Sequence, residues 1–371
     1  MLAMNTRRQF ICSTGAFAGG AWALQACSSD NGDLSYDEAV QQTWRPHKQV
    51  IAERSLLLRE LVRHATLAPS SHNTQCWKFS VAEQSISIIP DLSRRCPAVD
   101  PDDHHLFVSL GCAAENLIQA ALANGLMGEA ALEVAAANVL RITLQPTQAV
   151  ASPLFDAMTR RQCTRAEFDG KPVSGEELRL LEKAGSGQGV SLLLITEKNV
   201  MENVLEFVVQ GNTAQMNDPA FVAELKAWIR FGDAEAVRTG DGLFSRASGN
   251  PSVPRWLGSP LFPAFFRTSS ENDKYAKHIR SSAGIAIFIS ELNDKAHWIE
   301  AGRCYERFAL QATALGIRQA FLNQPVEVSA LRPQFADFLG VGKHRPDLVV
   351  RFGRGPEMPR SLRRPVDAVL A

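Results

Sequence analysis

Two clusters in this sequence have the residue types and spacing for chemistry. In AMTRRQCTRAEF, Arg160, Arg161 and Arg165 surround Cys163 and Thr164, and a further basic pair, Arg363 and Arg364, precedes Pro365. Guanidinium groups stay charged and offer a planar fork of donors, which suits a phosphate dianion. The bland alternative is surface pairing of Arg161 and Arg165 with Glu167 or Asp169. The second cluster is APSSHNTQCWKF, where Ser70, Ser71, Asn73 and Gln75 present short hydroxyl and amide groups ahead of Trp77 and Phe79. Such a loop could carry a serine nucleophile, a metal-binding histidine, or the polar edge of a site for a flat ligand. No G-x-S-x-G elbow surrounds Ser70 or Ser71. His72, His104 and His105 have no histidine or carboxylate at ligand spacing, so solvent or loop hydrogen bonding is expected of the His104–His105 pair and no metal ligand is assigned. No side chain is assigned as a catalytic acid or base.

The elements that would position these clusters repeat. Segments from His105 to Leu126 and from His297 to Ile317 align without a gap, matching Gly111 with Gly302, Glu115 with Glu306, Ala121 with Ala312 and Gly125 with Gly316. Apolar residues recur at helical spacing through both, and the second glycine of each falls where a left-handed C-terminal cap is expected. Small residues on such a face admit a neighbouring helix or ligand closely. The preceding parts share a helix–loop–strand layout, but the loops differ. The stretch GSGQG (185–189) follows a helix and precedes a strand, the reverse of a dinucleotide fingerprint. The serine–asparagine loop belongs to the first unit and the arginine cluster to the second, which stands just before a helix capped by Ser174 with Glu177. Two halves of a polar constellation thus predict one composite site between the units.

Composition sets the outer bounds. Lys and Arg total 39, as do Asp and Glu, giving no basic footprint for nucleic acid, and 45% of the 371 residues are hydrophobic, enough for a large core. No apolar run reaches the roughly 18 residues of a membrane span. Arg7–Arg8, Phe10 and an uncharged Ala/Gly-rich stretch ending Leu24-Gln25-Ala26-Cys27 read as a twin-arginine export signal with a lipobox. Residues 1–27 are therefore assigned as signal, Cys27 as the lipidated residue, and 28–50 as a tether. The expected location is periplasmic, with a lipid anchor to the membrane and the twin-arginine export machinery as partner. Seven cysteines without CxxC spacing give no metal framework, and Cys112 and Cys304 read as packed thiols.

Together these motifs resemble the FMN-dependent nitroreductase superfamily, and within it the single-chain, tandem-repeat, Acg-like branch. Arg161, Cys163, Arg165 and Phe168 fit its arginine pattern. Pro69, Ser70, Ser71, Asn73, Gln75 and Trp77 fit its loop, and Arg363 and Arg364 its C-terminal basic pair. The resemblance implies an α+β nitroreductase-like fold in which two related helix–sheet units, 51–150 and 151–371, form an intrachain pseudo-dimer. An insertion at 203–281 includes Gly249–Thr268, which reads equally as a lid or as packing between units. Also implied are FMN held by Arg161, Cys163, Arg165, Ser70, Ser71, Asn73, Gln75, Arg363 and Arg364, and two-electron reduction of a small-molecule acceptor such as a nitro-aromatic or quinone. Outside the cytoplasm a quinol or redox protein replaces a nicotinamide as donor. The rivals are an exported protein that sequesters flavin without turnover and one that has lost its flavin. Cys163 replaces the usual Ser or Thr, Cys76 the proline before Trp77, and AFLNQP (320–325) lacks the family's Pro-x-x-Gly.

Overall fold

The computed structural model describes residues 34–47 and 51–371. The twin-arginine pair, the lipobox and Cys27 lie outside the described residues. In chain order the elements begin with α1 (Tyr36–Thr43), α2 (Arg54–Thr66), β1 (Trp77–Ala82), β2 (Ser85–Pro90), α3 (His104–Ala123), β3 (Leu126–Glu133) and β4 (Val139–Pro146). There follow α4 (Pro153–Ala157), α5 (Gly175–Gly185), β5 (Val190–Ile195), α6 (Lys198–Met216), α7 (Pro219–Trp228), β6 (Ile229–Arg230), α8 (Asp233–Thr239), β7 (Leu243–Phe244) and α9 (Arg255–Phe265). The last are α10 (Thr268–Arg280), β8 (Gly284–Ser290), α11 (Lys295–Ala314), β9 (Arg318–Phe321), α12 (Gln324–Glu327), α13 (Arg332–Leu339) and β10 (Arg345–Gly353).

Two antiparallel four-stranded sheets, ordered β1-β2-β4-β3 and β5-β8-β10-β9, give the α+β architecture. Strands β8 (GIAIFIS) and β10 are buried along their whole length, as central strands covered on both faces must be. The two sheets reach across the molecule for edge partners. Phe79 of β1 donates its N–H to the Val369 carbonyl at 2.7 Å and accepts from Ala371 N–H at 2.9 Å. Residue Thr164 donates to the Gln319 carbonyl at 2.8 Å beside β9.

Between the sheets α3 packs on α11, and this pair carries the repeat. A Cβ on Gly111 would stand 2.0 Å from the Ile299 carbonyl oxygen, and one on Gly302 would stand 2.0 Å from that of Val108. The contacts are reciprocal, each glycine meeting the residue three before its counterpart, so the helices cross at a local pseudo-twofold. Gly125 and Gly316 end the two segments at φ +75° and +72°, the left-handed caps expected. Helix α3 is apolar and long enough to cross a bilayer, but 78% of its most apolar stretch is buried and it is the molecule's core helix. Cys112 and Cys304, one on each helix, are buried free thiols.

Residues 34–47 depart from the expected tether. Ser35 and Glu38 form a capping box that starts α1, and Tyr36 is buried with its hydroxyl donating to the Arg360 carbonyl at 2.7 Å. Trp44 Nε1 donates to the Ser361 carbonyl at 3.0 Å. A buried tyrosine and a half-buried tryptophan fix this segment in place, and neither stands in the polar run that suggested a tether.

Candidate functional site

The loop after α2 is wound tightly. Its residues His72, Asn73 and Gln75 all hold positive φ, at 48°, 52° and 53°, a conformation costly for residues other than glycine and kept only where neighbours impose it. The neighbours come from both halves of the chain. Ser70 Oγ accepts the Gln75 N–H at 2.9 Å. Gln75 donates to the Gly240 carbonyl at 2.8 Å and accepts from Arg364 N–H at 2.8 Å. The Asn73 amide donates to the carbonyls of Gly242 at 3.0 Å and Leu362 at 3.2 Å, while its Oδ1 is buried without a partner.

Beside this loop lies a cavity lined by Trp44, Pro69, Ser70, Asn73, Arg161, Gln162, Cys163, Arg165, Leu243, Ala247, Phe321, Pro359, Arg360, Ser361 and Arg363. Six of the nine residues expected to hold the cofactor thus meet there: Ser70 and Asn73 from the first half, and Arg161, Cys163, Arg165 and Arg363 from the second. Ser71, Gln75 and Arg364 are not on its wall. Gln75 is fully buried and ties the loop to its supports, and the Arg364 guanidinium turns to the Ala368 carbonyl.

Four arginines face this space under different restraints. Arg161 is buried, donates to the Leu67 carbonyl at 2.8 Å and pairs with Glu306 at 3.1 Å, not with Glu167 or Asp169. Burial pushes the Glu306 carboxyl up to about 7, although Arg161 draws it the other way. Arg363 donates to the carbonyls of Thr66, Leu67 and Ala68 at 2.9–3.1 Å, closing the C-terminal end of α2. Burial, then the nearby Arg161, pushes Arg363 below the ordinary guanidinium range. Arg360 donates to the Thr159 carbonyl at 2.7 Å and, like Arg363, stacks over the Trp44 ring. Arg165 has one side-chain partner, Ser248 Oγ at 3.2 Å. Among the described residues, no carboxylate lies within salt-bridge distance of Arg165, Arg360 or Arg363. The cavity is a concentration of positive charge with the buried Glu306 paired to Arg161 behind it, and it can neutralise itself by taking an anion.

Trp44, Arg360 and Glu306 escaped the sequence reading. Arg360 stood three residues before the basic pair, and Glu306 was the matched residue of the repeat; Trp44 had no signal. The pair His104–His105 is a correction. Both are buried, not solvated, and His104 Nε2 lies 2.8 Å from the Asp347 carboxylate. That partner is 243 residues away, so local spacing could not reveal it.

No family model matches the chain. Sequence comparison finds "Putative NAD(P)H nitroreductase Rv3131" of Mycobacterium tuberculosis, 25% identical over 329 residues, which are 84% of this chain and 90% of the relative. "Putative NAD(P)H nitroreductase acg" of the same organism is 21% identical over 336 residues, covering 84% of this chain and 95% of that one. Among solved structures, a nitroreductase with bound FMN from Desulfitobacterium hafniense aligns over 57% of this chain and 94% of its own, at 13% identity and a TM-score of 0.36.

Proposed function

We propose that this chain, nitroreductase-like in sequence along most of its length, is an FMN-binding oxidoreductase that passes two electrons to a nitro-aromatic, quinone or similar acceptor. The observation that carries the reading is the cavity between the two halves, where Arg165, Arg360 and Arg363 have no carboxylate partner among the described residues. The residues fit a flavin mononucleotide chemically. The arginines suit its phosphate, the Ser70 hydroxyl and the unpartnered Asn73 Oδ1 suit the ribityl hydroxyls, and Phe321, Leu243 and Ala247 supply apolar wall. When bound, the isoalloxazine would supply reversible two-electron transfer. The chain's part is to neutralise the phosphate, to orient the loop through Gln75 and Asn73, and to exclude water with Trp44 and Phe321. No side chain is assigned a proton transfer.

A second reading, flavin held without turnover, is favoured by the insertion, since Leu243 and Ala247 from it form part of the cavity wall. Export by the twin-arginine route and lipidation at Cys27 are also proposed, on the leader motif alone.

Purified from cytoplasm without its leader, the protein is expected to be yellow and to release FMN on denaturation. Chemical reductant should bleach it, and a nitro compound should restore the colour. A colourless protein that ignores added FMN defeats the proposal. Bound flavin that cannot be reoxidised by the acceptor supports the second reading instead.

A further inference from the structure

Outside the cavity, one of two groups of ligand-type side chains among the described residues lies at the N-terminal end of α3. Asp100, His104 and His105 are 5%, 2% and 5% exposed, and each brings one ligand atom within 4.8 Å of the others. The two imidazoles are oriented from the other half of the chain by one residue of β10. Asp347 meets His104 Nε2 through its carboxylate at 2.8 Å and His105 Nε2 through its backbone carbonyl at 3.3 Å. A carbonyl oxygen can only accept, so His105 Nε2 bears a proton, and in the neutral ring the lone pair is on Nδ1. That lone pair has the Glu327 carboxylate as neighbour at 3.8 Å, across from α12. Two acceptors facing each other in a buried space repel unless a proton or a metal cation stands between them, and the grouping of Asp100 and His104 around the same point offers further donors to a metal. Arg345, the nearest guanidinium in this network, is engaged on the other side, at Asp347 and Asn293.

We propose that Asp100, His104 and His105, with Glu327 as fourth donor, form a binding site for a divalent transition-metal ion that joins the two halves of the chain. The arrangement has the features of such centres. Imidazole nitrogens and carboxylate oxygens are mutually compatible donors for zinc, and a carboxylate–histidine contact from behind fixes the tautomer that presents the free nitrogen. The three grouped donors must draw in modestly, and Glu327, which stands outside that group, must move further, because ligands around tetrahedral zinc stand about 3.4 Å apart. A second group, His72, Cys96 and Glu224, is less suited: both Glu224 oxygens already accept, from Ala98 N–H and Val99 N–H at 2.9 and 3.1 Å, whereas Asp100 and Glu327 each have one oxygen so engaged, with Leu106 N–H at 3.0 Å and the Gln215 amide at 2.7 Å. None of the four proposed ligands lines the arginine cavity, so this site stands or falls apart from the flavin reading.

The test uses the full-length chain, stripped with a chelator and titrated with Zn²⁺ by calorimetry, with Co²⁺ absorption as a second readout. One ion per chain is expected, with a rise in Tm on binding, and His105→Gln should weaken affinity at least tenfold. If that variant fails to fold, Glu327→Gln, which keeps the side-chain shape, serves in its place. Absence of stoichiometric Zn²⁺ binding by the wild type overturns the proposal, as does a folded variant that binds as tightly as the wild type.

Discussion

Arg165 has the fewest protein partners of the four cavity arginines, so its charge is the most available to an anion. Arg165→Ala should weaken FMN binding by about 1.5–3 kcal/mol, roughly ten- to a hundredfold, with little change in Tm, as fluorescence titration and thermal melting would show. Arg161 differs, because removing it would strand the buried Glu306. That carboxyl is raised from 4.5 to about 7 by burial, so between these values the folded state holds a proton that the unfolded chain releases. Its contribution to stability is therefore fully present below about 4.5 and declines as pH rises through about 7. The facing groups are Arg161, Asn116, Arg363 and Glu115. While Glu306 is protonated, the charge of Arg161 is not cancelled, and an anion is held better at pH 6 than at pH 8. Glu306→Gln should flatten this difference in FMN titrations at the two pH values, leaving only the slope of the phosphate itself. A variant that keeps the full wild-type difference would exclude Glu306 as its source. The arginines and the serine loop were legible because their chemistry is written in neighbouring residues. Glu306 was visible only as a repeated letter, since nothing local discloses that a carboxylate is buried.

The crossing of α3 and α11 depends on two missing side chains. A methyl on Gly111 would overlap a backbone carbonyl of the opposing helix, which has no rotamer by which to yield. Gly111→Ala should therefore destabilise by about 3 kcal/mol or more, read from denaturant unfolding. The contrasting site is Gly316, where no atom lies within 4 Å of an added Cβ but φ is +72°. Gly316→Ala should cost only the left-handed backbone term, about 1–2 kcal/mol. Equal losses at the two positions would mean that the helix contact is looser than described. Both helices, their caps and their likeness were readable from periodicity and the glycine spacing. That they face each other was not, because periodicity identifies a buried face without naming what covers it. Helix α1 was missed for a related reason: eight residues are too few for a persuasive pattern, and its place rests on Tyr36 and the following Trp44 docking on residues 360–361.

Across the whole molecule the two glycine-bearing helices are alike and the surroundings of their matched glutamates differ. Where Glu306 faces Arg161 across from the cavity, its counterpart Glu115 is bound by Arg303 at 3.2 Å and Arg307 at 3.0 Å. The ground around the second half's Gly187 is occupied by Glu300, Cys304 and Arg307. One FMN per chain is thus expected, measurable as the ratio of flavin to protein absorbance after denaturation; two per chain would show that the second position still binds. That residues from both parts of the chain would line one cavity could be anticipated from the division of motifs, whereas the ion-pair cluster around Glu115 could not. The pairing of residues 369–371 with β1 also bears on events at the ribosome. Strand β1 leaves the exit tunnel with one edge open, and its partner is made nearly 290 residues later, roughly 15–60 s at ordinary bacterial elongation speeds. Throughout that interval the nascent first sheet keeps an unpaired edge that another strand could occupy.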